Sequence, residues 1–175
     1  MSYFKRFPKI QYDVNGDGQQ QLVTNITKRI AMNSKIQSNT VIFDIYDVPV
    51  GDKPEDVAFK YYDDATLHWV ILLVNNITDR YHQWPMPLQM FENYMNEKYD
   101  EPSAVHHYEI EQESGDTTVT INIGTDNTDY PDAVAISNRQ YEEGLQEEYS
   151  RIRLLRKEYL PQFVKEYKNI LKTSD

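Results

Sequence analysis

The sequence predicts an α+β protein: an N-terminal arm, a strand–helix–helix centre, a β-hairpin and C-terminal helices. Three observations carry this. A β-rich run from Val41 to Val48 leads through a turn into two successive helix-start signatures. Two stretches between residues 105 and 123 alternate apolar and polar side chains at the period of a strand. Beyond residue 136 the apolar residues recur at steps of three and four, the period of a helix. The reading divides the chain into residues 1–38, an arm and short helix; 39–100, the centre; and 101–175, the hairpin with a C-terminal helical segment.

In the first segment Tyr3, Phe4, Phe7, Ile10 and Tyr12 are apolar anchors in a stretch broken by Pro8 and by Asn15-Gly16-Asp17-Gly18. An extended arm and a turn are expected. Leu22, Val23, Ile26 and Ile30 then have helical spacing, with Thr24 or Asn25 as a cap. In the centre, Val41 to Val48 reads as a strand ending at Pro49-Val50-Gly51-Asp52. Asp52-Lys53-Pro54-Glu55 opens a helix, with Asp52 accepting free amides and Glu55 reaching back. Asp63 or Asp64 caps a second helix, which carries the apolar run Trp69 to Val74 and ends at Asn75-Asn76. Leu88 to Tyr99 forms a third, with Met90, Phe91, Tyr94 and Met95 inward.

In the last segment, His106, Tyr108 and Ile110 share one strand face, and Val119, Ile121 and Ile123 another, around the turn Glu113-Ser114-Gly115-Asp116. Residues 124 to 132 form an acidic loop. Ser137 and Gln140 make a capping box for a helix reaching Leu155. Its stripe is Tyr141, Leu145, Tyr149, Ile152 and Leu155, with glutamates early and arginines late, an order that complements the helix dipole. After Pro161, Phe163, Val164, Tyr167 and Leu171 line a second short helix.

Composition narrows the function. The net charge of −10 opposes nucleic acid as the main ligand, because phosphate binding needs clustered Lys and Arg. The mean hydropathy is −0.72 and the longest apolar run is six residues, far below a membrane span. The N-terminus lacks the apolar stretch of a secretory signal. Without cysteine there is no disulfide, thiol nucleophile or cysteine metal site. Fourteen tyrosines stand against six phenylalanines; tyrosine offers apolar area with a polar tip, which suits both a core rim and a surface buried on association.

Motifs with catalytic or metal chemistry are weak. Asp13 to Gly18 matches half a calcium loop, but the twelfth position is Thr24 where a bidentate Glu is needed. His106 and His107 are adjacent, so in a strand they point to opposite faces. Glu142-Glu143 and Glu147-Glu148 read as an exposed helix face, and Asp126, Asp129 and Asp132 as a solvated loop. No phosphate-cradling glycine loop or nucleophile elbow is present. The expectation is therefore no enzyme, no cofactor and no metal.

Three surfaces are candidates for binding a protein partner. The first is the arm, through Phe4, Phe7 and Ile10. The second is Tyr81 and Trp84, the latter beside Pro85. The third is the helix from Ser137 to Leu155 with Arg156 beyond it, through Tyr141, Tyr149, Arg153 and Arg156, residue types enriched at binding hot spots.

One block runs in register: Asp44-Ile45-Tyr46-Asp47, Gly51 to Ala58, Tyr61-Tyr62-Asp63-Asp64, and Leu67 to Asn76, then Asp79, Tyr81 and Trp84-Pro85. It strongly resembles the baseplate wedge protein 53 family of T4-like, contractile-tailed bacteriophages. Ser2-Tyr3-Phe4, Phe7-Pro8, Arg153-Leu154-Leu155 and Tyr159-Leu160-Pro161 extend the resemblance over nearly the whole chain. The resemblance implies a structural subunit of the virion's tail baseplate, assembled in the host cytoplasm. Such proteins bind the helical core of each wedge and help join neighbouring wedges into a ring around the hub. No nucleic-acid or membrane partner is implied.

The Gly51-Asp52 turn, the helix with Val57-Ala58 and the Asn75-Asn76-Ile77 exit also look like a LysM module, a strand–helix–helix–strand unit that often binds cell-wall N-acetylglucosamine polymers. Binding of peptidoglycan is the alternative function. The chain departs from that pattern after Asn76, where Tyr81 to Pro87 stands in place of a closing strand.

Overall fold

The computed structural model describes residues 4, 7–28, 40–112 and 119–172. The chain forms two compact units. Residues 1–83 and 151–175 make the first, and residues 84–150 the second.

The first unit opens with a hairpin where an arm and a short helix are expected. Lys9–Tyr12 (β1) and Gln21–Thr24 (β2) pair antiparallel, Ile10 opposite Val23 and Tyr12 opposite Gln21. Lys-Ile-Gln-Tyr alternates polar and apolar, as a pleated ribbon requires. The link is built on Asp13, whose carboxylate accepts from the amides of Gly16, Asp17 and Gly18 at 2.7, 3.2 and 2.7 Å. Those bonds, led by Gly18, hold its pKa below the ordinary value. Gly16 and Gly18 have φ of 72° and 81°, a region glycine enters without a Cβ penalty. The half calcium loop is thus a turn that satisfies its own amides. Ladder pairing of β2 takes the backbone groups that the expected helix at Leu22 would have used; Ile30 lies outside the described residues.

A 3-10 turn at Thr40–Ile42 precedes Phe43–Asp47 (β3), so the expected strand begins two residues late. In the turn after it, Asp52 donates its amide to the Pro49 carbonyl at 3.0 Å, with Gly51 at φ 87°. Pro54–Tyr62 (α1) starts as its signature predicts, with one exchange of roles. Asp56, not Glu55, accepts from the Lys53 amide, at 2.9 Å. Glu55 instead pairs with Arg80, and Asp52 with Lys60. Asp64 caps the 3-10 turn Ala65–Leu67 by accepting from the Thr66 amide at 2.8 Å, and His68–Val74 (α2) follows.

In the second unit, Leu88–Lys98 (α3) buries Phe91 and Met95, while Met90 faces outward rather than inward. Val105–Glu111 (β4) and Thr120–Gly124 (β5) form the expected hairpin, Ile110 opposite Ile121. Its turn lies outside the described residues. A third strand not anticipated, Val134–Ser137 (β6), pairs with the other edge of β4, giving the order β5-β4-β6. Asn138–Ser150 (α4) follows at once. The Ser137–Gln140 box is present: Gln140 Oε1 accepts from the Ser137 amide at 2.9 Å, and Ser137 Oγ from the Gln140 amide at 3.2 Å. The Met86 amide donates to Gln146 Oε1 at 2.8 Å, which fastens the start of the unit to its last helix.

The helix expected to reach Leu155 stops at Ser150. Arg151–Leu155 (β7) is a strand of the first unit, antiparallel to β3, with Phe43 opposite Leu155 and Asp47 opposite Arg151. Arg151-Ile152-Arg153-Leu154 alternates with period 2, and Ile152 and Leu154 are buried. The arginines are therefore not helix residues and do not complement its dipole. β7 is also the closing strand that does not follow directly after Asn76. It completes a strand–helix–helix–strand unit after the intervening residues 84–150.

Asn75 fixes this closure. Its side-chain nitrogen donates to the Ile71 and Arg153 carbonyls at 2.9 and 2.8 Å, and its oxygen accepts from the Arg153 amide at 2.8 Å. Leu160–Lys172 (α5) then packs Tyr167 and Leu171 onto a core of Phe7, Phe43, Trp69, Val70, Val74 and Leu155. Each such side chain contributes roughly 1.5–3 kcal/mol relative to exposure.

Candidate partner-binding surface

The exposed apolar groups of the first unit begin with the β1–β2 ribbon. Tyr12, Leu22 and the following Ile26 are exposed, and Ile10 is borderline at 38 %. The ribbon has two strands and no third partner among the described residues. Two-stranded hairpins are marginal in water unless they pack against something, and they leave outer amides and carbonyls available for pairing.

Beside it lies a cleft of about 430 Å³. Phe4, Ile26, Leu72, Leu73 and Ile77 give it apolar walls; His68 and Arg80 add polar groups. Arg80 reaches Glu55 through both terminal nitrogens, at 2.8 and 3.4 Å. Burial works to raise the pKa of Glu55, but backbone bonding and Arg80 outweigh it and hold the carboxyl below its ordinary value. At the base of the cleft, Trp69 packs tilted against Tyr167 at 4.4 Å and stacks on Phe163 at 6.2 Å, so it belongs to the core.

The candidate residues separate sharply by placement. Phe4 is half exposed and packs its ring 5.3 Å from that of Phe7, which is 5 % exposed and part of the core. Tyr81 is exposed in a turn held by Gln83, whose side-chain oxygen accepts from the Thr78 and Asp79 amides. Trp84 is buried.

Arg153 and Arg156 are employed within the first unit. The Arg153 guanidinium lies 5.4 Å from the Phe43 ring centroid. Arg156 donates to Asp44 at 2.9 Å, and Asp44 also accepts from the Tyr61 hydroxyl at 2.6 Å. Tyr61 and then Arg156 hold the Asp44 carboxyl below its ordinary range. Burial first, and Asp44 second, push the Tyr61 hydroxyl up to about 12.

Tyr141 and Tyr149 belong to the second unit and are half-buried. Tyr141 stacks on His106 at 4.0 Å with planes 9° apart. Of the acid pair beside it, Glu143 is exposed as expected but Glu142 is not. Glu142 is 2 % exposed and accepts from Lys98 at 2.6 Å, Tyr99 at 2.7 Å and Tyr94 at 3.3 Å. Burial alone would raise its pKa; Lys98 and Tyr99 outweigh that and hold it low. The structure thus does not join Tyr141, Tyr149, Arg153 and Arg156 on one helix. What it presents instead is the ribbon around Tyr12 and Leu22 and the cleft at Phe4 and Ile26, of which only Phe4 and Ile10 are candidate contacts in the sequence. The alternation in residues 9–12 was the signal for the rest.

A family model described as base plate wedge protein 53 matches residues 2–174. No curated protein matches the chain.

Proposed function

Because the chain belongs to the base plate wedge protein 53 family, a family of structural proteins of the phage tail baseplate, we propose that it is a connector. In this reading it binds the helical core of its wedge and helps join neighbouring wedges into the ring around the hub. The supporting observation is the apolar surface that the first unit exposes among the described residues, the β1–β2 ribbon with the adjoining cleft. Contiguous apolar surface of this kind marks interaction sites in soluble proteins. Ile10, Tyr12 and Phe4 are its proposed contacts, with Tyr81 as a further one. No helix among the described residues is long and apolar enough to cross a membrane.

The test is co-expression with the other wedge proteins of the same phage, followed by size-exclusion chromatography. Co-elution of the chain with the wedge is expected, with loss on Tyr12→Asp combined with Leu22→Asp. A chain that elutes alone under all conditions overturns the reading. The rival is a glycan-binding module, favoured by the completed strand–helix–helix–strand unit. Saturable binding of chitin oligomers by calorimetry, without co-elution, would establish it instead.

A further inference from the structure

The two units differ in charge. Residues 84–150 carry fifteen Asp and Glu against two Lys and Arg, net −13. The rest of the chain carries thirteen against sixteen, net +3. Both cations of the second unit are committed to internal pairs: Lys98 to Glu142, and Arg139 to Glu92 and Glu143. From residue 99 to residue 138 there is no Lys or Arg at all. The three-stranded sheet lies wholly within that stretch.

This sheet carries an apolar groove of about 850 Å³, bounded by β4, β5 and the loop that leads to β6. Ile110 and Ile121 face each other across the strands, and Tyr130, Pro131 and Val134 continue the apolar lining. Val134 is 62 % exposed, Tyr130 50 % and Ile121 45 %. The loop is preformed by short bonds, Tyr130 to Asn127 at 2.9 Å and Ala133 to Tyr130 at 3.0 Å, both backbone to backbone. Carboxylates edge the groove: Glu109, Glu111, Asp129 and Asp132. Glu109 accepts from His107 at 3.0 Å, whereas Glu111, Asp129 and Asp132 make no salt bridge among the described residues.

We propose that this groove docks a cationic segment of a partner protein, one that carries Lys or Arg around an apolar side chain. The inference rests on the connector reading and names a second contact surface for it. A metal ion would use the carboxylates and leave the apolar floor exposed. A neutral glycan would leave the charge unused, and nucleic acid would be repelled. Only a segment with both features matches the surface, and its cations would relieve the self-repulsion of a unit at net −13. Electrostatic complementarity of this kind speeds encounter and makes it sensitive to salt.

The experiment uses the full chain co-expressed with the wedge proteins. Glu111→Lys, Asp129→Lys and Asp132→Lys are combined, and the assembly is treated with a carbodiimide that joins carboxylates directly to lysines. For the parent chain, cross-links from these carboxylates to partner lysines are expected. The triple variant should reduce co-elution by about tenfold or more at low salt while leaving melting unchanged. If melting falls, the isosteric Glu111→Gln, Asp129→Asn, Asp132→Asn set replaces it, with a smaller loss of co-elution expected. A cross-link reports a lysine at the groove, and undiminished co-elution of the charge-reversed chain overturns the proposal and leaves the connector reading standing. A parent chain that never co-elutes overturns both. Self-association of the chain alone that the same reversals abolish would assign the groove to a second copy and also overturn it.

Discussion

Replacing Asn75 tests how the first unit is closed. Its side chain makes three hydrogen bonds, at 2.9, 2.8 and 2.8 Å, and two of them take both backbone groups of Arg153. A net contribution of about 1 kcal/mol per bond sets the scale, with a further cost for a carbonyl left dry. Asn75 is half-buried, so water can reach part of the gap, and Asn75→Ala should lose roughly 2–3 kcal/mol. Asn75→Asp is the sharper variant. It keeps an acceptor for the Arg153 amide but turns a second oxygen toward two carbonyls. Its folded-state pKa should therefore lie above the unfolded value, so its stability is full in acid and falls as pH rises through that raised pKa. At pH 7 it should be less stable than Asn75→Ala, and the order should narrow or reverse near pH 4. The assay is urea unfolding followed by fluorescence in a Trp84→Phe background, where Trp69 reports the first unit's core. A loss under about 0.5 kcal/mol for Asn75→Ala, or an Asp variant as stable as the parent at pH 7, would refute the reasoning.

Ile71 is fully buried and Leu72 only half-buried on the cleft side, so Ile71→Ala should cost about 2–5 kcal/mol and Leu72→Ala clearly less; equal losses in chemical denaturation would contradict this placement. Glu142→Gln should destabilise the second unit by roughly 1–3 kcal/mol at pH 7. The pKa of Glu142 is held below its ordinary 4.5, so the gap should be full above that value and shrink as pH falls through the lowered one; a gap that persists at pH 2 would exclude the ionic cause. Gly51 has φ 87° and open space where a Cβ would stand. Gly51→Ala should therefore cost about 1–2 kcal/mol from backbone strain alone, and a neutral melting temperature would show that the turn relaxes.

The sequence exposed most of the centre because its signals are local. Pro54 and the acids around it set where α1 starts, Asp64 sets the second cap, and Asn75-Asn76 ends α2. The failures share a cause. Leu22 and Val23 fit a helix with Ile26 by spacing, but their backbone is claimed by β1, whose partners Gln11 and Ile10 lie eleven and thirteen residues upstream rather than one turn away. Tyr149, Ile152 and Leu155 also sit at helical steps, and Arg and Leu favour helices. The period-2 alternation in Arg151 to Leu154 was equally visible, and only pairing with β3 over a hundred residues earlier decides between them. Of the candidate contacts, side-chain type found Phe4, Ile10 and Tyr81 on the surface but could not foresee that Phe7 and Trp84 are buried. Glu142 was hidden for the same reason, since its partners Lys98 and Tyr99 come from another element.

The late arrival of β7 also bears on the order in which the protein folds. Asn75 and Arg153 must meet across 78 residues. During synthesis the first unit cannot close until the whole second unit has emerged. The Met86–Gln146 bond spans 60 of those residues inside the second unit. If that unit folds first, the loop left to close is about a quarter as long, and two halvings spare about 1.2 kcal/mol of closure entropy. Early folding of residues 84–150 should then hasten docking of β7 by several-fold relative to an unfolded insert, recovering much of the delay that the insertion itself imposes.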